Sequence, residues 1–169
     1  KICVGIVMID NYEEIFQRIS DEDKPQLIAK IEKSIYEWGN LFEALVIKSE
    51  RDTYVICLEQ KNLEELKESK FKVLDSIKEI ENSDKAPITL SIAIANEGDS
   101  NYEKYKLAQA SIDIALGRGG DQAVIRENGK YVFFGGRAQE LEKRTKVKAR
   151  MISHALEELI LESKDVMIM

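Results

Sequence analysis

Glu50-Arg51-Asp52 places two carboxylates on either side of a guanidinium, in the polar break between two apolar runs. Carboxylates suit hard cations such as magnesium, and a guanidinium suits phosphate, which it can grip with two parallel hydrogen bonds. The same three residues also make an ordinary solvated hairpin tip. A second candidate is Gly117-Arg118-Gly119-Gly120-Asp121. It reads as a phosphate loop only loosely, because it follows a helical pattern instead of opening one, and anions gather at helix N-termini. A left-handed glycine cap closing the helix fits better, with Arg118 as its one phosphate contact.

Other chemistry is sparse. The single histidine, His154, has no Cys or second His beside it and makes a poor metal ligand or base. Cys3 and Cys57 lie in apolar runs without CxxC spacing and read as strand thiols in a reducing compartment. Lys143, Arg144, Lys146, Lys148 and Arg150 form a basic run, but Glu140, Glu142, Glu157, Glu158 and Glu162 flank it, as on a solvated or interdomain helix face. A formal charge of −6 over 169 residues argues against a general nucleic-acid binder. No apolar run approaches the ~20 residues of a membrane span.

These residues must be positioned by a regular framework. Ile2 to Ile9 is almost continuously apolar and reads as a strand buried on both faces. A short helix follows over 11–19. A longer one has capping candidates at Ser20 and Asp21, Pro25 in its first turn, and Gly39-Asn40 as its stop. Leu41 to Lys48 and Thr53 to Leu58 read as strands joined at Ser49–Asp52. Leu63, Leu66, Phe71, Leu74, Ile77 and Ile80 mark one long helix, Ile88 to Asn96 a strand, and Tyr102 to Leu116 a third long helix. Glu127-Asn128-Gly129-Lys130 joins a final hairpin. After Gly136 a charged helix runs over 137–162, and "DVMIM" opens a new strand over 163–169. The order predicts an α+β domain, with an antiparallel sheet carrying helices on one face. Both ends read as cut from a longer protein.

This order, with a tip at Glu50–Tyr54, resembles the GGDEF domain of diguanylate cyclases, a palm-like, ferredoxin-like fold. "VGIVMIDNY" resembles that family's first strand, which carries Asp-x-Asp-x-Phe. "ERDTY" stands where Gly-Gly-Asp-Glu-Phe would stand. "LSIAIA" resembles the Ser-Ile-Gly strand, and "IDIALGRGGDQAVI" the closing helix and strand. "ALGRGGDQAVI" followed by "EKRTKVKARMISHAL" resembles, more specifically, the degenerate GGDEF domain of the GdpP/YybT cyclic di-AMP phosphodiesterases. The resemblance implies a membrane-anchored parent with its own PAS-like domain before residue 1 and a manganese-dependent DHH domain beginning near 163. It implies a cytoplasmic domain, homodimerisation in the full protein, and at most weak ATP binding or hydrolysis here.

The resemblance also implies lost cyclase chemistry. Met8 stands for the first metal aspartate, while Asp10 keeps the second. Glu50 and Arg51 replace the two glycines, Asp52 matches the first acidic position, and Thr53 replaces the second. A thioether is a poor magnesium ligand. Phe16 takes the place of the guanine-reading Asn and offers an apolar stacking surface instead. The inhibitory Arg-x-x-Asp motif, expected at Leu41-Phe42-Glu43-Ala44, is missing. The expectation is a relic site. Asp10 and Asp52 converge to hold one magnesium, and Asp10, Glu50, Arg51, Asp52 and Arg118 contact ATP or a related nucleotide. No residue is assigned a catalytic role. The alternative is a spacer or dimerisation module that binds nothing.

Overall fold

The computed structural model describes residues 1–135. The expected charged helix and new strand beyond 136 lie outside the described residues. Six strands form one sheet in the order β2-β3-β1-β4-β5-β6: β1 (Ile2–Ile9), β2 (Leu45–Lys48), β3 (Thr53–Glu59), β4 (Leu90–Ala95), β5 (Gln122–Glu127) and β6 (Lys130–Phe134). The sheet is mixed. β4 and β5 run parallel through the crossover helix α5 (Asn101–Gly117), and every other pair is antiparallel. β1 is central, which explains its unbroken apolar sequence: both of its faces are covered.

Helices cover both faces, not one as the sequence suggested. Cys3, Val7 and Ile9 face a large core with α1 (Tyr12–Arg18), α2 (Lys24–Leu41), α3 (Leu63–Glu68) and α4 (Val73–Lys78). Ile6 faces a smaller core in which Ala93, Ala95 and Val124 meet Ala108, Ile112 and Ala115 of α5, with Met8 packed alongside. Alanines on sheet and helix let α5 lie close to the strands. It covers β1, β4 and β5 and leaves the β2–β3 end bare. There Leu45 and Ile47 are 58% and 51% exposed, paired with Cys57 and Val55.

Two boundaries differ from expectation. Leu41 ends α2 instead of starting a strand. The chain turns through Glu43 at φ 51°, and β2 begins only at Leu45. The expected helix over 63–80 is two short helices broken at Lys70 and Phe71, with φ of 52° and 54°. Phe71 is thereby fully buried against Trp38 and Phe134, so core packing overrides helical periodicity. The Asn-Gly hairpin is as expected, with Asn128 and Gly129 both at positive φ between paired Glu127 and Lys130.

Candidate functional site

The end of β1 lies between two neighbours. On one side is the β2–β3 tip, where Met8 pairs with Thr53 and the Ile9 amide donates to the Asp52 carbonyl at 2.9 Å. On the other is β4, where the Asp10 amide donates to the Thr89 carbonyl at 3.0 Å. The backbones of Asp10 and Asp52 are therefore brought close. Their carboxylates take different partners.

Asp10 reaches past the start of β4 to the turn that closes α5. Its Oδ2 accepts the Asp121 amide at 2.8 Å. Gly120, at φ 67°, lies so close that a Cβ there would stand 2.7 Å from Asp10 Oδ2. The turn is a helix cap: the Gly120 amide donates to Ala115 and the Gly119 amide to Leu116. Burial raises the Asp10 carboxyl pKa above its ordinary 3.8. Ser91, the Asp121 amide and Thr89 pull it back, and the Asp121 charge adds a smaller upward push. Its Oδ1 and the Asp121 Oδ1 are buried without hydrogen-bond partners among the described residues. The Asp121 Oδ2 accepts from Lys78 Nζ at 3.0 Å, which ties the turn to α4. Burial works against the Lys78 ammonium, but the Asp121 and Asp75 carboxylates outweigh it and raise its pKa.

At the tip, Asp52 Oδ1 accepts the Thr53 hydroxyl at 2.9 Å. Glu50 is exposed, and its amide closes the turn onto the Thr53 carbonyl. Arg51 folds back onto α1, with Nη2 2.7 Å from Glu13 Oε1 and the guanidinium 5.9 Å from the centre of the Tyr12 ring. Tyr12 stacks on Phe16 at 4.2 Å. Phe16 is only 9% exposed, so the stacking surface expected of it is already covered, by Tyr12 and by the core. Met8 is packed against the α5-side core. Arg118 turns to the far edge of the sheet, 4.1 Å above the Phe133 ring with Nε on Gln122 Oε1. It is not brought to the tip.

Sequence reasoning missed Glu13, Lys78 and Asp121 as members of this region. The "GRGGD" turn was legible, but nothing local to it announces a carboxylate arriving from residue 10. Among the described residues no group of three or more His, Cys, Asp or Glu side chains could hold a metal ion. Asp10 Oδ2 is taken by the Asp121 amide and its Oδ1 is buried, so Asp10 does not present an open metal ligand in this arrangement. Among the described residues, open cavities also lie away from the tip. One of about 310 Å³ is lined by Asp23, Gln26 and Asn82, and one of about 610 Å³ by Trp38, Leu41 and Val73.

Residues 7–133 match the family model described as the GGDEF domain of cyclic-di-AMP phosphodiesterase GdpP-like proteins. The chain is 42% identical over its whole length to the cyclic-di-AMP phosphodiesterase GdpP of Geobacillus thermodenitrificans, and 38% identical to the cyclic-di-AMP phosphodiesterase PdeA of Listeria monocytogenes. It spans about a quarter of each relative, 26% of the length. The active GGEEF domain of a diguanylate cyclase from Vibrio cholerae superposes with a TM-score of 0.62 at 14% identity, over 75% of this chain and 84% of that one. At that identity the likeness is one of fold. No helix among the described residues is long and apolar enough to cross a membrane.

Proposed function

Because the chain belongs to the GGDEF domains of GdpP-like cyclic-di-AMP phosphodiesterases, we propose that it is a regulatory module without diguanylate cyclase activity, in a larger, membrane-anchored phosphodiesterase. The observation that carries this reading is the fate of the first strand's end. Met8 is packed against the α5-side core, and Asp10 is engaged by the Asp121 amide. A cyclase needs carboxylates held free for metal ions that bridge the triphosphate. Here one of those positions is a thioether, and the retained carboxylate also holds a turn together.

Nucleotide contact is confined to weak, magnesium-dependent triphosphate binding between the end of β1 and the tip. Asp10 and Asp52 supply at most two ligand groups, magnesium keeps several waters, and Arg51 offers the phosphate contact. Arg118 has no part in it. Base reading is poor, since no amide replaces the guanine-reading one and Phe16 is covered. ATP should bind with a dissociation constant no tighter than roughly 10 μM, about −7 kcal/mol. Calorimetric titration with ATP and GTP, with and without magnesium, tests this. Submicromolar GTP binding with strong preference over ATP, or formation of cyclic di-GMP from GTP, would overturn it.

A second reading, a dimerisation or interdomain contact, is favoured by Leu45 and Ile47. These are exposed beside Val55 and Cys57 on the sheet face that α5 leaves bare. Sedimentation of the wild type and of a Leu45→Glu variant over a concentration series tests it. Identical monomeric behaviour would remove self-association from consideration.

A further inference from the structure

The cation at the hairpin tip is already engaged. Arg51 Nη2 sits 2.7 Å from Glu13 Oε1, and its guanidinium lies over Tyr12, which in turn stacks on Phe16 at an interplanar angle of 13°. Arg51 belongs to the β2–β3 tip, and Glu13 to the first turn of α1. Only Asp10 and Asn11 separate β1 from α1. A bridge between tip and α1 therefore runs beside the end of β1, where Asp10 stands. A carboxylate on a guanidinium uses the same donors that a phosphate oxygen would use.

We propose that the Arg51–Glu13 pair is an intramolecular clasp. Glu13 occupies the phosphate position on Arg51, and a polyphosphate binds this site only by displacing it. This rests on the nucleotide reading above and adds its regulation: whatever moves α1 relative to the tip sets the affinity of the site. Both partners are solvated, at 76% and 59% exposure. An exposed ion pair is a weak competitor, so the clasp lowers affinity by about two- to fivefold and not by orders of magnitude. Tyr12, stacked on the core residue Phe16, keeps Arg51 in place by offering its ring to the guanidinium.

The test is titration of the 169-residue chain with ATP and magnesium in five forms: wild type, Glu13→Gln, Glu14→Gln, Arg51→Ala, and Glu13→Gln with Arg51→Ala. Glu14 pairs with Arg18 at 2.9 Å, so its substitution removes the same charge one residue away without touching the clasp. Glu13→Gln should tighten binding two- to fivefold, Glu14→Gln should not, and the gain should vanish when Arg51 is Ala. Amide exchange of Ser49 and Glu50, both bonded to the Thr53 carbonyl, should quicken in Glu13→Gln as the tip loses its tie to α1. If wild type binds ATP but Glu13→Gln and Glu14→Gln behave alike, or the gain persists without Arg51, the clasp is wrong and the nucleotide reading stands. If neither wild type nor Glu13→Gln binds millimolar ATP, both fall.

Discussion

Replacing Asp10 separates its structural task from its proposed ligand task. In Asp10→Ala the Asp121 amide, on a residue only 7% exposed, loses its acceptor. An unsatisfied buried donor costs about 1–3 kcal/mol, which in a domain of this size lowers the melting temperature by roughly 2–10 °C. In Asp10→Asn the side-chain carbonyl can still accept from the Asp121 amide. Its stability at pH 7 should lie within about 1 kcal/mol of wild type. The pH dependence carries a definite sign. The Asp10 pKa is raised in the fold above its ordinary 3.8, so between those two values the folded chain binds more protons than the unfolded one. Stability from this group therefore falls as pH rises through that window. Wild type should gain on Asp10→Asn as pH is lowered from neutrality toward 4, where groups common to both cancel. Urea denaturation across that range reads both effects. An Asp10→Ala variant as stable as wild type, or a wild type that loses ground to Asp10→Asn on acidification, would refute this role for Asp10.

Gly5→Ala should destabilise the domain by at least about 1–3 kcal/mol by chemical denaturation, because its Cβ would stand 2.6 Å from the Ala93 carbonyl oxygen. Lys78→Met should cost about 1–2 kcal/mol in the same assay, since the largely buried Asp121 would lose its cation; the figure is kept low because Lys78 is partly solvated. Asp52→Asn should weaken magnesium-dependent ATP binding several-fold while Asp121→Asn leaves it unchanged, and equal binding by wild type and Asp52→Asn would remove Asp52 from the site. The purified 169-residue chain should not turn over cyclic di-AMP in a manganese-dependent assay, because no group of three or more His, Cys, Asp or Glu side chains among the described residues could hold a metal ion; robust turnover would place that activity within these residues.

The sequence by itself determined what depends on short-range chemistry. Continuous apolar character made β1 a central strand. Asn128-Gly129 fixed a two-residue hairpin because both residues accept positive φ. Gly119 and Gly120 ended α5 for the same reason. The tertiary structure decided whatever depends on partners distant in the chain. Periodicity over 63–80 fits one helix, yet burying Phe71 against Trp38 and Phe134 outweighs the local preference and breaks it in two. Apolar spacing cannot say that α5 takes one face of the sheet while the other helices take the opposite face. That follows from the parallel β4–α5–β5 crossover. Above all, Asp10 and Arg51 read from the sequence as free ligands for metal and phosphate. In the folded chain they are matched with Asp121, 111 residues away, and with Glu13, 38 residues away. A side chain's type fixes what it can bind, but only the fold fixes which partner reaches it first.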